Sequence, residues 1–479
     1  MCGITGFYGA GTEADLKAMT SELWHRGPDD GGLYWQDRLG FGHRRLAILD
    51  IAHGKQPMRD YETGAVLVYN GEIYNHLQIR TELEKLGHRF FTAHSDTETL
   101  LRAFLQWGAD CLIRFNGMFA FAIYLPQKRQ IWLGRDRFGE KPLFYALNEH
   151  GFAFASEIAA LRLWPGFCAE PDKANIQRFF AWNYLPAGRC ATLGCQSLPP
   201  GSWLCVNLDG LSTASAPYWQ FRLQPDSAWK DEAALAEELR RLIIEATKRR
   251  LLSDVPLGVF LSGGIDSSAI LAAACRVTDP ECLQTFTIGF HEKSFDESAK
   301  AASVARFLRV KNRIRHLTES AMRDSIPRTL GKMSEPFGDA SLIPTWQLCA
   351  FARENVTVAL SGDGGDELFG GYDPLAAIRP AAWYRRLIPD WLHLLARSLI
   401  AALPASDRNM SPDFRIRRFL RGLSYPASLQ LPIWMSGLEP AEIREFFENP
   451  LTGEELYADL LHLFQTQPDS DALEQALLF

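Results

Sequence analysis

The sequence predicts an α/β protein built in two styles: an αββα sandwich of packed sheets, then a doubly wound parallel sheet with helices on both faces. Three observations lead there. The length of 479 residues exceeds one ordinary core. Residues 1 to about 210 carry short apolar strands in runs with helical patterns between them. Beyond about 230 the rhythm becomes strict strand–helix alternation.

In the first part, 65–69, 119–124, 131–135, 143–147 and 152–155 read as strands. Turn residues such as Pro126-Gln127-Lys128 and Asn148-Glu149-His150-Gly151 separate them. Helical patterns interleave at 14–24, 77–86 and 97–108. Pro199-Pro200-Gly201, a strand at 203–207 and Asp209-Gly210 close a first domain over 1–210. A Ser/Ala/Pro-containing linker, 211–230, leads to a second domain, 231–479. There the order is helix 232–251, strand 257–261, helix 266–277, strand 285–290, helix 296–307, strand 311–317 and strand 357–360. Such sheets bind ligands beyond the carboxyl ends of their strands. From about 374 the chain is helical and aromatic-rich.

Hydrophobic content of 47% and charged content of 22% are those of a soluble globular chain. A net charge of −7 and a pI near 5.9 argue against a nucleic-acid surface. Nine scattered cysteines, an odd number, are no disulfide framework. Cys190 and Cys195 lack a second Cys or His pair at zinc spacing. The N-terminus has no signal-peptide pattern, and the longest apolar stretch, 391–403, is broken by His393, Arg397 and Ser398. The expectation is a reducing cytoplasm, with neither membrane nor nucleic acid as partner.

Cys2 opens the chemistry. Removing Met1 would leave a thiol and a free α-amine on one residue. They titrate near ~8.5 and ~8, which pairs a nucleophile with a base of matched pKa. Taken alone, a second-position Cys is better read as an accident.

The strongest motif is Ser262-Gly263-Gly264-Ile265-Asp266-Ser267-Ser268, with an apolar strand running in and a helix running out. Glycines, hydroxyls and helix N-terminal N–H groups together make an anion cradle suited to pyrophosphate. It lacks the Gly-Lys-Ser/Thr of a Walker A loop. Helix capping explains one of these residues and not the run. Ser361-Gly362-Asp363-Gly364-Gly365-Asp366-Glu367 also follows a strand; with Asp266 it could hold Mg²⁺ on a polyphosphate, or be an acidic surface turn.

In the first domain, Asn70-Gly71 reads as an oxyanion hole or as a plain hairpin turn. Arg45 suits a carboxylate clamp and Asp96 an ammonium, though each is equally a solvated charge or a cap.

Taken in order, these motifs resemble the glutamine-hydrolysing asparagine synthetase family over residues 1 to 373. Met1-Cys2-Gly3-Ile4-Thr5-Gly6, His25-Arg26-Gly27-Pro28-Asp29, Asn70-Gly71-Glu72-Ile73-Tyr74-Asn75, Asn116-Gly117-Met118-Phe119 and Gly134-Arg135-Asp136 are similar to its glutaminase half. The Ser262 loop and Ser361–Tyr372 are similar to its synthetase half.

The resemblance implies an N-terminal-nucleophile glutaminase fused to an ATP-pyrophosphatase-type domain. It implies that Cys2 attacks glutamine, that Asn70 and Gly71 stabilise the oxyanion, and that Arg45, Glu72 and Asp96 hold the amino acid. It implies ATP along Leu261, Ser262, Gly263, Gly264, Asp266, Ser267, Ser268, Ile288, Ser361 and Gly362, with Asp266 and Asp366 on Mg²⁺. Aspartate, or another carboxylate such as a sugar acid, would be adenylated and attacked by ammonia. A homodimer is expected, as family members are often dimers. Asp363 stands where some members carry a Glu proposed to assist that attack. The family's chains also continue past Phe479 and supply a basic residue near the phosphates, so this chain reads as C-terminally incomplete, with a glutaminase-only remnant as the other outcome.

Overall fold

Strand β1 (Gly3–Gly9) is apolar on both faces, which places a layer on each side of it. Ile4 enters a core shared between two sheets, and Phe7 a core shared with helices. The computed structural model describes all residues except 225, 227–230, 403, 405, 407–409 and 468–469. They form two compact units. The first comprises Met1–Asp172, Ala187–Arg222 and Arg249–Pro256; the second comprises Lys173–Pro186, Leu223–Lys248 and Leu257–Phe479.

After β1 the first unit runs through α1 (Glu13–Glu22), β2 (Asp30–Gln36), β3 (Leu39–Arg45), β4 (Met58–Arg59), β5 (Val66–Ile73), α2 (His76–Lys85) and α3 (Asp96–Trp107). It continues through β6 (Gly117–Leu125), β7 (Gln130–Arg135), β8 (Phe144–Asn148), β9 (Gly151–Ala155) and α4 (Ile158–Leu161). In the second unit lies α5 (Lys173–Trp182); the first then adds β10 (Cys195–Ser197), β11 (Ser202–Asn207) and β12 (Thr213–Pro217). Within 211–230, expected as linker, β12 is thus an edge strand on β11, while 225 and 227–230 lie outside the described residues.

Two six-stranded antiparallel sheets result, in the orders β10-β8-β9-β1-β3-β2 and β12-β11-β7-β6-β5-β4. Their inner faces meet through Ile4, Phe41, Val66, Val68, Ala120, Phe152 and Phe154. One outer face packs on α1 and α4 through Phe7, Leu16, Met19 and Trp164. The other packs on α2 and α3 through Leu67, Tyr69, Ile79, Leu100 and Phe121. These are the four layers of the αββα sandwich that the sequence predicts.

The second unit contains α6 (Glu232–Arg250, its last two residues counted in the first unit), β13 (Leu257–Phe260), α7 (Ile265–Val277), β14 (Gln284–Phe290), α8 (Ser298–Phe307) and β15 (Lys311–Leu317). Then come α9 (Glu319–Leu330), α10 (Leu342–Arg353), β16 (Val358–Leu360) and α11 (Gly365–Phe369). Its sheet is parallel in the order β15-β14-β13-β16. The chain steps outward from β13 to β15, then returns to the far side of β13. Right-handed crossovers therefore put α7 and α8 on one face and α10 on the other, where Phe286, Phe351 and Ala352 pack. The reversal falls between β13 and β16, whose carboxyl ends lead into the Ser262 and Ser361 loops. Farther on, the stretch 391–403 is the helix Asp390–Ala401, with residue 403 outside the described residues. α5 packs on the C-terminal helices of the same unit: the Trp182 indole donates to Leu456 O at 2.9 Å and its ring meets Tyr457 and Phe479. No helix among the described residues is long and apolar enough to cross a membrane.

Candidate active site

Cys2 precedes β1, and the β1–β3 register of Gly3 with Arg44 sets it beside the end of β3. Its Sγ donates to Leu46 O at 3.6 Å and accepts from Leu46 N–H at 3.4 Å. Its carbonyl accepts from Arg26 Nε at 2.9 Å, and Glu157 holds that guanidinium at 2.7 Å. Burial pushes the thiol above its ordinary value, with Leu46 N–H and the neighbouring Arg45 pulling it back.

Asn70 and Gly71 are not a turn. They lie within β5, opposite Ala120 and Phe119. Strand β4 begins at Met58, which pairs with Leu67, so β5 beyond Leu67 is a free edge. Side chains take over there: Tyr69 N–H donates to Gln56 Oε1 at 2.6 Å, Tyr69 O meets His43 Nε2 at 3.1 Å, and Ile73 N–H donates to Asp96 Oδ2 at 3.1 Å. Alternation along a strand turns residues 69, 71 and 73 to the same edge. The Gly71 N–H thus faces outward between two satisfied neighbours. A Cβ at Gly71 would collide with the Met118 backbone, so a side chain cannot cover it. Beside it, Asn70 Nδ2 is buried with no hydrogen-bond partner among the described residues. Both donors await an acceptor.

Glu72, next on β5, is half-buried and interacts with Asp96, buried at the start of α3. Burial and then the Asp96 charge push Glu72 well above the ordinary carboxylate range, and Lys141 draws it partly back. Burial also raises Asp96, against a neighbouring His76, the Tyr69 hydroxyl at 2.8 Å and the Ile73 N–H. Neither acid is in an ion pair among the described residues. Arg45 stands at the end of β3, yet three of its N–H groups already serve Leu49 O, Asp50 O and Ile51 O at 3.1, 2.8 and 2.8 Å. It anchors the loop that follows Cys2's contact residue and keeps two N–H bonds of its fork uncommitted. Cys2, Arg45, Asn70, Gly71, Glu72 and Asp96 are therefore brought together.

Sequence reasoning gave no role to Arg26, His43 or Lys141, which surround this site. Arg26 lay in a quoted motif. His43 carried no pattern; burial pushes it down to about 3, so it is neutral and fixes the Tyr69 carbonyl.

In the second unit, a cavity of about 560 Å³ opens where β13 and β16 end. Leu261, Ser262, Gly264, Asp266, Ser267, Ile288, Ser361, Gly362, Asp363 and Asp366 line it; Gly263 and Ser268 do not. Gly263 takes φ +83, turning the loop so that Gly264 N–H donates to Ser262 Oγ at 3.1 Å. Ser262 and Ser267 hydroxyls meet at 3.0 Å, and Ser268 Oγ is buried without a partner among the described residues. Asp363 accepts from Ser361 Oγ at 2.8 Å. Glu297, Asp339 and Glu367 add to the acids on the wall, which includes no Lys or Arg among the described residues. Burial, Asp266 and Glu367 hold Asp366 above the ordinary carboxylate range. No cluster of three metal-binding side chains is preformed among the described residues.

A thiol with idle donors beside it in one unit and a strand–loop–helix cradle in the other define the class. It is a glutamine amidotransferase unit joined to an asparagine synthase unit, and family profiles with those descriptions match residues 1–219 and 238–473. The chain is 33% identical over 422 residues to asparagine synthetase [glutamine-hydrolyzing] 1 of Bacillus subtilis, covering 86% of itself and 65% of that protein. It is 36% identical over 397 residues to putative asparagine synthetase [glutamine-hydrolyzing] 2 of Methanocaldococcus jannaschii, covering 78% of itself and 76% of that protein. The chain belongs to the glutamine-hydrolysing asparagine synthetase family. It spans a little under two thirds of the length of the Bacillus relative. Among solved structures, glutamine phosphoribosylpyrophosphate amidotransferase from B. subtilis matches 65% of each chain at a TM-score of 0.35 and 16% identity.

Proposed function

We propose that this chain hydrolyses glutamine at Cys2 and delivers the ammonia to an ATP-activated carboxylate, aspartate, giving asparagine, AMP and pyrophosphate. The observation that carries the first half is the buried, unpartnered Asn70 amide on β5, the strand whose Glu72 acts on the Cys2 thiol. With Met1 removed, the Cys2 α-amine takes the thiol proton as Sγ attacks the side-chain amide carbon. The oxyanion that forms accepts from Asn70 Nδ2–H and Gly71 N–H. The amine then passes the proton to the leaving nitrogen, and water cleaves the thioester to glutamate. Glu72 and Asp96 supply the charge that the glutamine ammonium needs, and Arg45 one of its remaining N–H bonds and its positive charge for the carboxylate.

The second half rests on the cradle. Ser262, Gly264 N–H, Ser267 and the idle Ser268 hydroxyl suit the phosphates of ATP, with Leu261, Ile288, Ser361 and Gly362 on the walls and Gly263 setting the turn. An acidic wall repels a bare polyphosphate, so Mg²⁺ fits: Asp266 and Asp366 would hold it, and it would neutralise the charge that departs with pyrophosphate. One or two carboxylates plus phosphates are Mg²⁺'s usual set. Adenylation gives the acceptor a leaving group, and Asp363, in the place of the Glu that some family members carry, would assist ammonia. The acid excess favours an acceptor carrying an ammonium, as aspartate does, over a sugar acid.

Cys2→Ala is expected to abolish glutamine hydrolysis and leave ammonia-dependent synthesis; unchanged glutaminase activity refutes the nucleophile. Pyrophosphate exchange into ATP across candidate acids tests the acceptor. Exchange with a sugar acid but not aspartate names the other substrate, and glutamine hydrolysis without any exchange points to a glutaminase-only remnant.

A further inference from the structure

Lys141 is buried, 5% exposed. Its ammonium has one described hydrogen-bond partner, the Met1 thioether, at 3.3 Å. It forms no ion pair among the described residues. Asp136, five positions earlier, spends its carboxylate on the backbone N–H groups of Phe119, Phe138, Glu140 and Lys141 at 3.1, 3.2, 2.9 and 3.0 Å. A buried cation with three donors resting on a sulfur is poorly satisfied. Burial holds it below the ordinary lysine range, while Glu140, Asp136 and Glu72 favour its charge and Arg26 opposes it.

The nucleophile assigned above requires Met1 to leave, and this inference rests on that assignment. Loss of Met1 removes the sulfur and exposes the new Cys2 α-amine, one methionine's length from the Lys141 ammonium.

We propose that Lys141 is a positioning residue for the base: its ammonium, set against the N-terminus, keeps the Cys2 α-amine unprotonated at neutral pH so that the amine can take the thiol proton. The surrounding charges divide cleanly. Arg26, on the Cys2 carbonyl, and Arg45, on β3, also resist a proton there. Glu72 on β5 favours one, with Asp96 on α3 and Asp254 acting on Glu72. Bound glutamine neutralises the Glu72–Asp96 pair through its own ammonium, and the repulsion from Lys141 then acts uncompensated. Two amines this close titrate as a pair, and a proton on one resists a proton on the other. At roughly 7 Å and an effective dielectric near ~20, the repulsion lowers the amine by about one to two pH units.

The test uses the full chain, with Met1 loss verified by mass. The acid limb of kcat for glutamine hydrolysis is followed at saturating glutamine, where the amino-acid clamp is already filled. Lys141→Met should move that limb up by about one pH unit, and Lys141→Arg should leave it in place. Lys141→Gln serves if the Met variant does not fold. A limb unmoved in the neutral variants, even with kcat reduced, overturns the proposal and leaves Lys141 a structural residue. An equal shift in Lys141→Arg also overturns it. A wild-type chain with Met1 removed and no glutaminase activity overturns the Cys2 assignment instead.

Discussion

At the residue scale, Glu72 shows function held against stability. Its carboxyl is raised, so the folded state keeps a proton that the unfolded state gives up near pH ~4.3. Between that value and the raised one the unfolded state binds fewer protons, so stability falls as pH rises through the window. Glu72→Gln removes the penalty. It should stabilise the ligand-free protein by about 1 kcal/mol at pH 7, flatten that pH dependence in denaturant titrations, and raise KM for glutamine. A destabilised variant would contradict that penalty. For Asn70→Ala, the loss of one oxyanion donor should cost about 10²–10³-fold in kcat with KM little changed, read by steady-state kinetics. Cys2, Asn70, Gly71 and Glu72 were legible because each sits in a motif, and Arg45 and Asp96 only through the resemblance. His43 and Lys141 were not, because what sets their chemistry is burial and the free edge of β5, neither of which has a local pattern.

At the scale of elements, the apolar runs at 65–69, 119–124 and 152–155 were read as strands and are strands β5, β6 and β9. Strands β1, β2 and β3 went unread. Glycine interrupts them at 3, 6 and 9, at 31 and 32, and at 40 and 42, which weakens a propensity signal that tertiary pairing then overrides. Helix α5 shows the same limit differently: nothing local in Lys173–Trp182 says which unit will bury it. Trp182 is 7% exposed against the Leu456–Tyr457 region. Trp182→Ala should cost the second unit about 3–5 kcal/mol. Hydrogen exchange should report lost protection at 173–186 and around 456–460, and none at 1–172.

At the scale of the whole molecule, two chemistries sit in two units, so they should fail separately. Asp266→Ala is expected to remove pyrophosphate exchange and spare glutamine hydrolysis, and normal exchange would count against its place on Mg²⁺. The parallel sheet was legible from its alternation and the cradle from its sequence. The parentage of short segments was not, because contact partners far along the chain decide it.

Chain order has a final consequence, for synthesis. The first unit is not finished at residue 222; it also takes Arg249–Pro256. Asp254 accepts the Asp50 N–H at 2.9 Å, and Arg250 stacks on Tyr74 at 4.7 Å, two residues past Glu72. On a ribosome adding about 5–20 residues per second, the nucleophile emerges almost first, yet the segment that closes its unit follows roughly ten to fifty seconds later. For that interval the growing chain holds the proposed nucleophile without its finished surroundings, and slower translation through 223–256 would lengthen it.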